Sequence, residues 1–156
     1  LQTGCIRHVF GKDGTLWVGQ TGRGWGSAGG KEFGLQQVKW DGKTTPFSMY
    51  DVKLTKEGFR ITFTKPVDTT VAKDAEKYGI ERWGYHYHPK YGSPKTGVTK
   101  EKPSSVKVSE DGLEVHLGVT LEKSRVYKLN LTALADKDGS KMANAYAWYT
   151  LNRLKN

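Results

Sequence analysis

A chain of 156 residues with 36% hydrophobic and 26% charged side chains has the material for a packed core and is not a disordered polymer. No apolar run reaches the length of a membrane span, and Leu1 opens no signal peptide. The net charge of +9 comes from Lys and Arg scattered along the chain, without a basic helix, an aromatic RNA-binding signature or a zinc-ligand pattern, so nucleic acid is not an expected partner.

The first segments alternate. CIRHVF (Cys5 to Phe10) and TLWVGQ (Thr15 to Gln20) flank the turn Gly11-Lys12-Asp13-Gly14 and read as a hairpin. Cys5 is the single cysteine and closes no internal disulfide; beside Ile6, Val9 and Phe10 it is expected to be a buried thiol. A glycine-dense stretch, TGRGWGSAGGKEFG, follows from Thr21 to Gly34, with Gly24, Gly26 and Gly29 at the spacing G-x-G-x-x-G. A dinucleotide loop needs a helix after its glycines, because the helix N-terminus supplies the amides that hold the pyrophosphate. Here KEFGLQQVKWDGK follows, in which Gly34 interrupts and GLQQVKW reads as a strand ending at Asp41-Gly42. Lys31 precedes Glu32, not the hydroxyl that reaches magnesium in an ATP loop. The glycines are turn chemistry, and no cofactor is expected.

Eleven of the nineteen glycines precede Pro46, which places a boundary there: a glycine-rich β segment over residues 1–46 and a compact sandwich over residues 47–156. In the second part MYDVKLT, the turn Glu57-Gly58 and FRITFT come first, with Phe59, Ile61 and Phe63 on one face. VAKDAEKY (Val71 to Tyr78) is the best helical candidate, capped from Asp68-Thr69-Thr70. RWGYHYHPKYG (Arg82 to Gly92) reads as a strand with Trp83, Tyr85 and Tyr87 on one face and Gly84, His86 and His88 on the other, and KYGSPKTGVTKEK (Lys90 to Lys102) as a solvated loop. SVKVS, the turn Glu110-Asp111-Gly112, LEVHLGV, RVYKLNLTAL and AYAWYTLN complete the chain. Period-two alternation predicts one core shared by Phe59, Ile61, Phe63, Val115, Leu117, Tyr127, Leu129 and Leu131. Strands separated by turns at this frequency predict an all-β chain built on a β-sandwich.

FTKPVD (Phe63 to Asp68), KYGI (Lys77 to Ile80), VSEDGLEVHL (Val108 to Leu117), YKLNL (Tyr127 to Leu131) and ADKDGS (Ala135 to Ser140), in that order, resemble the pattern of bacterial Ig-like modules of secreted and surface proteins. CIRHVFGKDGTLWVGQTGRGWG is similar to the blade strands of secreted sugar or sorbosone dehydrogenase-like β-propellers. Together they resemble the C-terminal end of a large multidomain bacterial protein, and a chain opening at Leu1 without Met is expected to be an excised or processed piece of one. This chain holds at most one blade's worth of strands, so the resemblance implies no complete redox site within it.

His86 and His88, at i and i+2 of a strand, could supply two imidazoles to copper or zinc, but no spacing brings further ligands, and a solvated outer face is the favoured reading. The row Trp83, Tyr85, Tyr87 is either core or a platform for sugar rings, and core is favoured. Trp25 either packs to pin its glycine loop or stands free for a sugar. Asp136, Asp138 and Ser140 resemble part of a calcium loop without its closing bidentate Glu, so a turn is expected. No Ser-His-Asp order or paired-carboxylate constellation stands out, so no catalytic residue is assigned. The expectation is a non-catalytic accessory module of an exported bacterial protein, secreted or periplasmic, whose partners are neighbouring domains of a larger chain. The alternatives are a carbohydrate-binding module that meets polysaccharide through Trp25, Trp83, Tyr85 or Tyr87, and the terminal part of a sugar-oxidising propeller enzyme whose active site lies elsewhere.

Overall fold

The computed structural model describes residues 1–22 and 28–155, which form two compact units, Leu1–Thr44 and Thr45–Asn156. All sheets in both units are antiparallel.

The first unit is a three-stranded sheet of β1 (Cys5–Phe10), β2 (Leu16–Thr21) and β3 (Phe33–Val38), with β2 in the middle. Its first hairpin turns where the glycines require it. Gly14 lies at φ 77°, and Asp13 accepts bonds from the Thr15 amide at 3.1 Å and the Thr15 hydroxyl at 2.7 Å. One face is tied by glutamines. The Gln20 Oε1 accepts from the Thr3 amide at 3.0 Å, while its Nε2 donates to the Gln36 Oε1 at 2.9 Å. The strand β3, not a helix, follows the glycine stretch, so the element a pyrophosphate loop requires is absent there. Every residue of β1 is exposed, Cys5 included. The expectation of a buried thiol is therefore corrected: β1 is an edge strand, and Ile6, Val9 and Phe10 put no cover over it.

The second unit pairs two four-stranded sheets. One runs β4 (Met49–Leu54), β5 (Gly58–Phe63), β9 (Glu114–Gly118), β8 (Ser105–Val108); the other runs β11 (Tyr146–Leu151), β10 (Arg125–Asn130), β6 (Gly79–Gly84), β7 (Thr96–Glu101). Alternation decides what they bury. Phe59, Ile61, Phe63, Val115 and Leu117 of the first sheet join Tyr127 and Leu129 of the second, with Leu131 just beyond β10, in one core, each at most 3% exposed. The Phe59 ring bridges the layers, 5.4 Å from Tyr127 and 5.3 Å from Tyr149 between centroids. Fully burying a side chain such as Phe59 contributes about 2–3 kcal/mol.

The helical segment is shorter than its sequence pattern predicts. Asp68 caps α1 (Thr69–Ala72) by accepting from the Thr70 amide at 2.9 Å, and Asp74 then opens a separate 3₁₀ turn at Ala75–Lys77 by accepting from Glu76. Asp68 and Asp74 both cap within one short segment, so a single continuous helix gives way to two turns. Tyr78 closes the segment, donating its hydroxyl to the Ala72 carbonyl at 2.7 Å. The Asp136–Ser140 run is a turn, with the Asp136 Oδ1 accepting from the Asp138 and Ser140 amides and Gly139 at φ 83°.

Two further segments differ from expectation. The strand β6 ends at Gly84, so Tyr85 to His88 lie on the loop to β7 and not on alternating strand faces. The segment from Lys90 to Lys102 is not all loop, because β7 forms within it. Its exposed, lysine-bearing sequence carries almost no apolar signal, as suits an edge strand paired on one side only. Among the described residues no helix is long and apolar enough to cross a membrane.

Candidate functional site

The outer face of the sheet β11-β10-β6-β7 gathers aromatic and charged side chains that do not belong to the core. Tyr127 and Leu129 point inward, so Val126, Lys128 and Asn130 point outward. Register then lays out the face. Trp148, Lys128, Glu81 and Lys100 form one cross-strand row, and Thr150, Val126 and Trp83 the next. Tyr146 stands opposite Asn130.

At one edge Tyr146 and Trp148, 43% and 61% exposed, hold their rings 6.1 Å apart and 35° from parallel. The Lys128 ammonium lies over both, 4.6 Å from the Tyr146 centroid and 6.0 Å from that of Trp148. On the other side of Lys128, Lys95 sits 3.6 Å above the Trp83 ring and bonds the Glu81 carboxylate at 2.7 Å. That hydrogen bond, opposed by partial burial and aided by the charges of Lys95, Lys100 and Lys128, holds the Glu81 carboxyl below the usual range.

The residues singled out from sequence are not brought together. Trp83 is 3% exposed, lies outside the hydrophobic core cluster and is roofed by Lys95, so its ring is no free platform. Tyr85 and Tyr87 are exposed on the following loop, as is Tyr91. His86 and His88 share that loop. The His86 amide donates to the Ser93 hydroxyl at 3.2 Å, and the His88 Nδ1 accepts from the Lys90 amide at 3.2 Å. The His88 Nδ1 is thus engaged while the backbone bond of His86 leaves its ring out of the contact, and among the described residues no group of three or more His, Cys, Asp or Glu side chains is placed to hold a metal. Trp25 lies outside the described residues. Sequence reasoning missed Tyr146, Trp148 and Lys128; the Y-x-W alternation in AYAWYTLN was the available signal.

Several other ionisable groups are paired in holding the fold. Arg82 pairs with Glu101 at 2.5 Å and Glu122 at 2.9 Å, and Glu122 also accepts from Arg125 at 3.1 Å. Asp136 is buried in its turn with Lys65 at 3.8 Å. His116 meets Glu114 at 3.5 Å. None of these sets joins a nucleophile to a base and an orienting group.

The architecture defines an antiparallel all-β class whose larger unit is a two-layer sandwich. Solved structures with this arrangement include parts of a bacterial surface-layer protein, SbsC. The chain is similar to the S-layer protein rSbsC(31-844) with a TM-score of 0.51 and 26% identity, over 69% of this chain and 14% of that one. It is similar to the N-terminal part of the bacterial S-layer protein SbsC with a TM-score of 0.52 and 27% identity, over 69% of this chain and 24% of that one. The chain thus spans a small fraction of the proteins it matches. No protein-family model matches it, and no curated protein does.

Proposed function

We propose that this chain is a non-catalytic β module of an exported bacterial surface protein, which spaces or docks neighbouring domains. The observation that carries this reading is the likeness to a 14% portion of a surface-layer protein, a relation of one module to a multidomain chain. The use of the charged groups supports it, since Arg82, Glu101, Glu122 and Arg125 pair with one another instead of converging on a pocket.

The larger unit is read as an Ig-like sandwich and the smaller as the end of a propeller-like element. Tyr127 supports the first reading. Its hydroxyl donates to the Thr120 carbonyl at 3.0 Å and accepts from the Glu122 amide at 2.7 Å, the reach back to upstream backbone found at the tyrosine corner of Ig sandwiches. The smaller sheet supports the second. Phe10 and Val38 are exposed on one face, Val9, Leu35 and Phe33 on the other. A sheet apolar on both faces suits a layer between two others, as in a blade. The same observation favours a second reading, in which the chain ends a sugar-oxidising propeller enzyme whose reactive groups lie in other blades.

Fractionation of the producing bacterium with antibody to this chain tests the proposal. The expected result is antigen in the envelope or the medium; antigen confined to the cytoplasm would overturn it. Deleting residues 45–156 from the full-length protein separates the two readings. A spacer leaves any activity per molecule intact and weakens surface retention or reach, whereas lost turnover with a folded remainder favours the enzyme.

A further inference from the structure

We propose that the outer face of the sheet β11-β10-β6-β7 binds an acidic polysaccharide, with Tyr146 and Trp148 stacking on sugar rings and Lys128 meeting a carboxylate of the polymer. The residues assigned to bind, Tyr146, Trp148 and Lys128, are not among those singled out from sequence, and the site stands on the purified chain, independently of where the parent protein resides.

Three observations carry it. First, the two rings are exposed where the fold gives them no reason to be. They stand two residues apart on a strand, so the pleat fixes them on one face with centroids 6.1 Å apart. A shelf set by backbone geometry loses little freedom on binding. Two exposed rings side by side form a contiguous patch, the kind of surface feature that marks a contact site.

Second, the face carries positive charge in excess. Lys128 rests over the two rings, and Lys100 stands opposite Glu81 across the strands. Glu81, the one carboxylate of that row, is already bonded by Lys95. An ammonium beside two aromatic faces fits a ligand that presents apolar ring faces and anionic groups together, as a polyuronate does.

Third, the surroundings are polar. Thr150, Asn130 and Lys128 neighbour the rings, and Val126 is half-buried. A protein-docking patch draws on contiguous apolar side chains, whereas isolated amphipathic rings with polar neighbours suit the alternating ring and hydroxyl surface of a sugar chain. An open strand edge also accepts a long polymer, where an enclosed cavity would select a small molecule.

The test is affinity electrophoresis and calorimetry of the whole chain with polygalacturonate, its carboxyl-reduced neutral form, and polyacrylate, which has the charge without the rings. The proposal expects binding to polygalacturonate, tighter than to either control. Trp148→Ala should weaken it at least tenfold, and Lys128→Gln should weaken it severalfold and flatten its salt dependence, while Tyr87→Ala leaves it unchanged. Trp148 is mostly exposed, so its variant should melt with the parent chain, and the comparison reads binding alone. Equal binding to polyacrylate with no effect of Trp148→Ala would reduce the face to general electrostatics and overturn the proposal. Equal binding to the neutral polymer would also overturn it, as would a self-association that Trp148→Ala abolishes in the absence of any polysaccharide binding.

Discussion

Removing one oxygen from Tyr127 separates what its ring does from what its hydroxyl does. The ring is fully buried and packs edge-on against Phe59 at 5.4 Å, and Tyr127→Phe preserves that contact. The hydroxyl holds two backbone groups, the Thr120 carbonyl and the Glu122 amide. Their losses are unequal. Thr120 is exposed and its carbonyl keeps a bond from Arg82 at 3.3 Å, so water and arginine replace the missing donor. The Glu122 amide is half-buried and loses its acceptor, which costs about 1–2 kcal/mol for a partly desolvated orphan donor. A domain of this size shifts its melting temperature by about 3–6 °C per kcal/mol, so Tyr127→Phe should melt roughly 3–12 °C below the parent chain. Tyr127→Ala should cost more, about 3–5 kcal/mol, because the cavity adds to the lost contact. Differential scanning calorimetry on both variants, with Tyr85→Phe as an exposed control, provides the measurement. If Tyr127→Phe melts with the parent, the hydroxyl is not the fastener of this loop and the reasoning fails.

Further expectations rest on the same contacts. Burial pushes the Tyr78 phenol well above its ordinary value of about 10. Above that pH the unfolded chain releases a proton the folded chain keeps, so stability should fall as pH rises, by about 1.4 kcal/mol per unit for this group. Urea melts at increasing alkaline pH should show this slope, and Tyr78→Phe should lessen it; equal slopes in the two chains would refute the linkage. Gly58 lies at φ 157°, and a Cβ there would meet the Leu117 carbonyl and the Val119 amide, so Gly58→Ala should lower the urea midpoint by the equivalent of about 1–3 kcal/mol without changing the m-value. Lys95→Ala should uncover the Trp83 ring, seen as increased acrylamide quenching, and should raise the Glu81 carboxyl toward its ordinary range on NMR titration. Unchanged quenching would show that Lys95 is not the roof.

The sandwich core was legible in the sequence because strand periodicity is a local property. Phe59, Ile61 and Phe63, or Val115 and Leu117, declare a buried face by their spacing alone, and turns such as Glu110-Asp111-Gly112 mark where each strand stops. The segment after the glycines was equally legible: GLQQVKW has strand spacing, and β3 forms where a dinucleotide loop would need a helix. Edges and outer faces were not legible. The pattern R-W-G-Y-H-Y-H looks like one strand, but pairing with β7 ends at Gly84 and leaves the tyrosines and histidines on a loop. Alternation tells a residue which side of its strand it occupies, not which side of the sheet meets the core. That is why Trp83 could be read as core or platform, while the fold puts it on the outer face beneath Lys95. Tyr146, Lys128, Trp148 and Glu81 come from strands far apart in sequence, and only the register of β11, β10 and β6 sets them side by side. Local spacing fixes a strand's two faces, and long-range hydrogen bonding decides which neighbours each face acquires.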